Sequence, residues 1–599
     1  MTERAIDARE VRNLVTLFFD QATRFADEPF VWAKRDGVYV SLSWRETADE
    51  VRAAANGLIS VLGVKTGDRV IIVGENRPEW LIADIAIKAI GAISVPTYTT
   101  NTAVNHLHVI NDSGAQLAIV SNPALAARLI AAAVEADHKL RVIIFDNPNS
   151  VIHSDIETKA WSDVLEAGRG DDIPDHVATA KREDMCSIIY TSGTGGLPKG
   201  VMLTHGGILC NCDGATQIVK ELELGEEVFL SFLPLSHAYE HVGGIYLPIC
   251  LGAQVFYVER VDTLINTMAE VRPTIMTAVP RLYETMRSRI HQSVQTQSNF
   301  RIRLFEKTVE LGTKRYKNPK SLSLWDKLVD AVCERLVRKK IRERFGGRLK
   351  ALVSGGAPLN YEVGLFFTAL GVRILQGYGQ TEASPVISAN VPNNVKLHAV
   401  GPPARGVSVK IAQDGEILSK GEMVMLGYWN DPDATIAAID DDGWLHTGDI
   451  GYLDEDGHII ITDRKKDLIV NSGGDNISPQ RVEGTLCLEE ELEQAMVFGD
   501  KRPYLTAVLV PDEEWLKKWS RSNGKENSLE KLAKDMQLIS AIGEAVLRSN
   551  KTVPVIEKVR KFVISHHSFT VENGQMTPTL KVRRHAILRE FRVGLEALY

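Results

Sequence analysis

Hydrophobic and polar positions fall into two regimes along the chain. Through the first two-thirds, short apolar, β-branched runs alternate with segments of helical periodicity. Arg69–Gly74 (RVIIVG) reads as a buried strand, Glu79–Ile90 as a helix stopped at Gly91, and Ile93–Pro96 as the next strand. Leu117–Val120, Val142–Phe145, Ile188–Tyr190, Val255–Val258, Leu349–Val353 and Arg373–Leu375 are further short strands. Strands separated by helical segments of about 10–15 residues predict parallel sheets covered by helices, an α/β class. No repeat at a solenoid period and no low-complexity segment interrupts the pattern.

After about residue 400 short strands and tight turns dominate, marked by Asp414-Gly415, Asp442-Gly443 and Asp456-Gly457. This predicts a small β-barrel-like part. The charged run Asp463-Arg464-Lys465-Lys466-Asp467 follows it, and a boundary is placed there: a large domain over 1–464 and a small mobile α+β domain over 465–599. The small domain contains the strands Leu505–Val510 and Lys561–Ile564.

Residues 301–350 stand apart, with 16 Lys+Arg against 6 Asp+Glu. Trp325, Val329, Val332 and Leu336 share one helical face, Ser323 with Asp326 forms a capping box, and Gly346-Gly347 makes a stop. The preferred reading is a solvated, salt-laced helix packed on the body through that face. The alternative is a basic face, including Arg335, Arg338 and Lys339, for anionic lipid.

Composition narrows the classes. With 599 residues and 44% hydrophobic content the chain has ample core material, about four folding units by length alone. A net charge of −8 gives no reason to expect nucleic acid as a partner. Six scattered cysteines form neither a disulfide framework nor a zinc pattern, which predicts a reducing compartment. The opening MTERAIDARE lacks an apolar signal core, and no run reaches the ~18 apolar residues of a membrane span. The expected location is cytoplasmic, with peripheral contact at the inner face of the membrane left open, as is a homodimer.

The richest segment for chemistry is Tyr190-Thr191-Ser192-Gly193-Thr194-Gly195-Gly196-Leu197-Pro198-Lys199-Gly200, directly after a predicted strand. Glycines let backbone N–H groups turn toward an anion, hydroxyls donate, and a lysine adds charge, as a triphosphate requires. It is not a Walker A loop, because Pro198 and Gly200 occupy the positions of its second Gly and its Ser/Thr. The segment resembles the phosphate loop of the AMP-forming adenylating superfamily, which includes acyl-CoA synthetases, luciferases and peptide-synthetase adenylation domains. Gly195 replaces the usual second threonine of TSGTTG.

Other motifs follow in that family's order. Gly355-Gly356-Ala357-Pro358-Leu359 resembles the adenine-side loop and Gln376-Gly377-Tyr378-Gly379-Gln380-Thr381-Glu382 the YGxTE motif. Asp442–Gly451 (DGWLHTGDIG), continuing to Asp463–Asp467, resembles the signature of fatty acyl-CoA synthetases, and Met576–Lys581 (MTPTLK) the loop with the catalytic lysine. The resemblance implies a nucleotide site of Thr191, Ser192, Gly193, Thr194, Lys199, Gly356, Gln376, Gly377, Tyr378, Thr381, Asp449 and Arg464. It implies Mg2+ on Thr191 and Glu382, with Lys581, Glu382 and Thr191 as catalytic groups. Asp449 would take the ribose hydroxyls, Lys466 would be the hinge, and Gly473 and Gly474 would shape the coenzyme A channel.

His237-Ala238-Tyr239-Glu240-His241 matches the inverted zinc-protease pattern H-x-x-E-H, but Pro234 and Gly243-Gly244 leave little room for the helix it needs. Leu233–His237 instead resembles the family's acyl-pocket motif, placing His237, Ala238 and His241 at the acyl pocket. Some relatives carry a tryptophan gate where His241 stands. The resulting expectation is a long-chain fatty acid–CoA ligase acting on fatty acid, ATP and CoA through an acyl adenylate. The alternative is a fatty-acyl-AMP ligase that loads a carrier protein. No fused carrier domain is seen in the sequence, which lowers that alternative. A catalytically silent binding protein is disfavoured by the joint presence of Lys581, Glu382 and Asp449.

Overall fold

The structure, a computed structural model, describes residues 4–146, 155–170, 172, 176–191, 197–577 and 581–599. Two eight-stranded sheets form the large domain. The first runs in the spatial order Val386–Ala389, Ile374–Gly379, Ala351–Ser354, Ile275–Ala278, Val228–Ser231, Gln254–Tyr257, Pro29–Arg35, Val38–Ser43. Its six inner strands pair in parallel, and both edge strands run antiparallel. The second is built on parallel Arg69–Val73, Ile93–Thr97, Leu117–Val120 and Arg141–Ile144, extended by Met185–Thr191 and Lys199–Thr204.

The buried strands are near-continuous apolar runs because both faces are covered, as parallel sheets require. One core cluster takes Val70 and Ile72 from the second sheet and Val31, Phe229, Val255 and Ile275 from the first, so the two sheets share a core. The helix Pro78–Ala89 sits within it and is buried on every side but Glu79. It carries a fully buried ion pair, Asp84–Lys88, one turn apart. Lys88 Nζ also donates to Ser94 Oγ (2.8 Å), and Tyr246 OH donates to Asp84 (2.6 Å).

The β-barrel-like part is a four-stranded antiparallel sheet, Ser408–Ile411, Glu416–Lys420, Leu445–Leu453 and Ile459–Arg464. Beyond Arg464 a separate three-stranded sheet, Leu492–Phe498, Leu505–Pro511 and Val559–Ile564, packs with its own helices around its own core.

The segment 301–350 corrects one expectation. The helix Leu324–Cys333 starts at the predicted Ser323/Asp326 capping box. A π-helical turn, Glu334–Arg338, then shifts its register before Lys339–Arg344. The face turned to the body carries Asp330, Cys333 and Arg338, and not Trp325, Val332 and Leu336. Arg338 sets this orientation. Its buried guanidinium donates to Asp330 (2.7 Å), to the Ala369 carbonyl (2.7 Å) and to the Thr308 carbonyl (3.2 Å). Leu324 (82% exposed), Trp325 (72%), Leu328 (63%), Val332 and Leu336 face outward instead. Among the described residues no helix is long and apolar enough to cross a membrane.

Candidate active site

Open α/β sheets bind ligands at the carboxyl ends of their strands. Here Thr191, Ser354 and Gly377 lie at or near such ends, and all three line one cavity of about 1030 Å³. Of the residues expected from sequence, Thr191, Lys199, Gly356, Gly377, Tyr378, Thr381, Glu382, Arg464, Lys466, His237 and Lys581 line it. Ser192, Gly193 and Thr194 lie outside the described residues.

Local sequence explains the wall. Tyr239 OH donates to the Val353 carbonyl (2.8 Å), laying its ring against the next turn. A Cβ on Gly355 would stand 3.1 Å from that ring, and Gly356 adopts φ +80°. Gly-Gly therefore lets backbone approach the cavity where side chains would fill it.

Asp449 is buried and does not line the cavity itself. Tyr378 OH donates to its Oδ2 (2.7 Å) and Arg464 Nε to its Oδ1 (3.0 Å). Each carboxylate oxygen keeps a second lone pair. Glu382 Oε1 accepts from Tyr428 OH (2.8 Å), and the carboxylate lines the cavity alongside Thr191. A carboxylate oxygen and a threonine hydroxyl lining one cavity are hard donors of the kind that suit Mg2+. Lys199 is paired with Asp431 (3.0 Å).

Lys581 reaches the cavity from the C-terminal domain. The residue is exposed to solvent, yet partial desolvation of its ammonium by surrounding atoms holds it below the usual lysine range, Arg464 adds to the depression, and Asp449 and Glu382 oppose it. Its backbone N–H donates to Thr577 Oγ1 (3.0 Å), and its carbonyl accepts from Thr577 N (2.8 Å). His237 Nδ1 accepts from Tyr239 N (3.1 Å), which leaves the ring proton of the neutral form on Nε2. Burial, with Lys581 nearby, depresses His237 to about 4, so the ring is neutral at pH 7.

From this polar end the cavity continues between the sheets along Ile218, Val219, Phe229, Val242, Gly243 and Leu247. Gly243 lies in a π-helical turn, Val242–Tyr246, and a Cβ there would stand 2.7 Å from Thr277 Cγ2.

Three expectations need correction. Ala238 and His241 are buried behind the acyl end and do not line it. His241 packs edge-on against Trp80 (5.7 Å) and lies 3.7 Å from Asp84, so it belongs to the buried ion-pair network. Glu240 accepts from Ser231 (2.6 Å) and Thr277 (2.5 Å), so the HAYEH run assembles no metal cluster among the described residues. Gln376 stands behind the wall, its backbone paired with Ser354 and Asn390. Gly473 and Gly474 form an exposed turn fixed by Asn471 and Asp475, away from the cavity, because the C-terminal domain presents its lysine loop here.

Tyr428 and the hydrogen-bonding role of Tyr239 escaped the sequence reading. Their roles rest on partners distant in the chain, and no local pattern announces them. The Asp84–Lys88 pair had a readable signal, opposite charges four residues apart inside an apolar helix.

These features, a polar end, an apolar tunnel and a lysine from the C-terminal part of the chain, agree with the comparisons. A family model of AMP-binding enzymes matches residues 18–429, and one of the AMP-binding enzyme C-terminal domain matches 466–599. The chain belongs to the AMP-binding enzyme family. It is 34% identical to the long-chain-fatty-acid–CoA ligase FadD15 of Mycobacterium tuberculosis over 98% of this chain and 97% of that one. It is 32% identical to the peroxisomal long chain acyl-CoA synthetase 6 of Arabidopsis thaliana, over 94% and 82%. Among solved structures, the A domain of a carboxylic acid reductase from Segniliparus rugosus, with AMP and a carboxylic acid, superposes with TM-score 0.75 at 20% identity. That match covers 100% of this chain and 98% of the other.

Proposed function

We propose that this protein is a long-chain fatty acid–CoA ligase that forms acyl-CoA, AMP and diphosphate from fatty acid, ATP and coenzyme A. The observation carrying this reading is Lys581 standing in one cavity with Thr191, Glu382 and Arg464 while the same cavity runs on into an apolar tunnel. The names of the full-length relatives support the substrate class.

Both first-step reactants are anions, so charge neutralisation is the main task. A carboxylate oxygen attacks the α-phosphorus, the bond to the β-phosphate oxygen breaks, and diphosphate leaves. Lys581 offsets the charge growing on the α-phosphate. His237, neutral and carrying its proton on Nε2, donates a hydrogen bond at the head of the tunnel. We assign the ribose hydroxyls to Asp449, which lies behind the cavity wall held by Tyr378 and Arg464 and needs one of these partners to shift to reach them. Mg2+ held by Glu382 and Thr191 would screen the phosphates. In the second step the CoA sulfur attacks the acyl carbonyl and AMP leaves. We place the domain boundary at Arg464, with Lys466 as hinge, so that rotation withdraws Lys581 and brings Gly473 and Gly474 to the site.

Incubation with palmitate and ATP, with and without CoA, tests this directly. Palmitoyl-CoA and AMP should appear together. A trapped palmitoyl adenylate that CoA cannot discharge would instead establish carrier loading.

Gly243 sets the bore of the tunnel. Gly243→Val should lower kcat/KM for palmitate at least tenfold, about 1.4 kcal/mol, while hexanoate loses much less. Equal losses for both acids would remove Gly243 from chain-length selection.

The outward stripe of Leu324, Trp325, Leu328, Val332 and Leu336, bordered by Lys327, Arg335, Lys339 and Lys340, lies on the inner face of a membrane with its apolar residues at the headgroup boundary. Arg338 takes no part, being buried against Asp330. Binding to vesicles of anionic lipid should blue-shift tryptophan emission in the parent and not in Trp325→Glu. Lys339→Glu/Lys340→Glu should bind severalfold more weakly. Equal flotation of all three would reject the surface.

A further inference from the structure

In the C-terminal domain, three side chains converge that the ligase reaction does not use. His566 and His567 follow the strand Val559–Ile564 at a bend, and Glu590 lies on the terminal helix Arg584–Glu596. The Nε2 atoms of His566 and His567 stand 3.1 and 2.9 Å from the same Glu590 oxygen, and the three ligating atoms lie within 4.8 Å of one another. It is the only such cluster among the described residues.

Hydrogen bonding around the cluster specifies what it holds. His567 Nδ1 lies 3.1 Å from the Ser568 carbonyl, which can only accept. With the ring proton on Nδ1, Nε2 turns a lone pair toward the carboxylate oxygen; Asn573 Nδ2 also lies 3.5 Å from Nδ1. Two acceptors at 2.9 Å repel unless a cation lies between them, either a second ring proton or a metal ion. The remaining Glu590 oxygen accepts from Gln575 Nε2 (2.7 Å), which fixes the carboxylate plane. An imidazole whose far N–H is held by a carbonyl, beside a carboxylate oriented by an amide, is the outer shell that metal ligands recruit.

We propose that His566, His567 and Glu590 bind a divalent first-row transition ion, of the Zn2+ class, through two imidazole nitrogens and one carboxylate oxygen. Two imidazoles and a carboxylate suit zinc over magnesium or calcium, which prefer all-oxygen sets. Bonds of about 2.0–2.2 Å at tetrahedral angles put ligand atoms about 3.4 Å apart, so each imidazole nitrogen withdraws from the Glu590 oxygen by a few tenths of an ångström. The remaining coordination position faces solvent and takes water.

The site grips the root of the lysine loop. Gln575, whose side chain holds Glu590, accepts at its carbonyl from Arg583 N (2.8 Å), and Met576 bridges to Val582. Metal binding ties His566, His567 and the terminal helix together immediately beneath Thr577 and Lys581. That consequence for Lys581 rests on the ligase reading, whereas the site itself does not.

The test uses full-length, untagged protein stripped with chelator, with millimolar Mg2+ present to fill hard oxygen sites. Titration with Co2+ should develop the visible absorption of a four- or five-coordinate ion, and Zn2+ should displace it at one equivalent per chain by calorimetry. His567→Asn and Glu590→Gln, both at accessible positions outside the catalytic machinery, should each weaken Zn2+ binding at least about tenfold while metal-free ligase activity stays unchanged. Unchanged Zn2+ affinity in both variants, or no binding by the parent, would overturn the site and leave a proton as the shared cation.

Discussion

Lys581→Ala reduces adenylate formation by about 10²–10³-fold, the usual effect of deleting one preorganised electrostatic contact to a developing charge. The loss should fall on the first half-reaction alone. ATP keeps Tyr378, Asp449, Arg464 and the Gly355-Gly356 turn, so its Kd should move little. CoA attack on supplied palmitoyl adenylate should proceed near the parent rate, because the proposed rotation withdraws the lysine for that step. Single-turnover assays of each half-reaction separate the two. An equal loss in both would make Lys581 a scaffold residue. Lys581→Arg should recover little, since a wider, forked cation cannot stand where a compact ammonium does.

Lys88→Met is expected to produce the largest loss of stability. It leaves Asp84 buried with Tyr246 OH and the distant His241 as its remaining partners. Breaking a buried ion pair from one side costs about 3–5 kcal/mol. The double variant Asp84→Leu/Lys88→Met should recover much of it, because the same volume is then apolar. The pH dependence has a definite sign. In the parent, burial works to raise Asp84, but the Lys88 and His241 charges and the bonds from Lys88 and Tyr246 outweigh it and hold the carboxyl down to about 2. Its folded pKa lies below the unfolded value of 3.8, so its stabilisation is present above about pH 4 and is lost as pH falls toward 2. In Lys88→Met burial dominates and Asp84 rises instead, so the variant's deficit should shrink on acidification. Calorimetric melting of the parent and both variants at pH 7 and pH 5 checks this, and a deficit independent of pH would contradict it.

Much of the architecture was legible because parallel strands buried on both faces must be short, apolar and β-branched. Leu117–Val120 has the predicted bounds, and the other strands differ by a residue or a few at their ends. The nucleotide side was legible because phosphate and ribose demand glycines, hydroxyls and carboxylates in contiguous motifs. The acyl side was less so. Any apolar residue can line a tunnel, and His241 sits one helical turn from His237 yet points into a different environment. The helix near 330 misled for a related reason. A sequence stripe cannot register the π-turn that follows it, and the burial of a single arginine outweighed the expectation that apolar residues turn inward.

Arg464 has a double attachment whose consequence is thermodynamic. It steadies Asp449, proposed above as the ribose acceptor, and it is the last residue before the segment proposed as the hinge of the small domain. A bond shared by a ligand site and a pivot makes occupancy and orientation reciprocal: whatever affinity nucleotide gains from this orientation, the orientation gains from nucleotide. ATP then holds the protein in the posture that consumes it. Once diphosphate has left, the same linkage runs backwards, so that rotation toward the thiol-accepting posture loosens AMP and product release needs no trigger of its own.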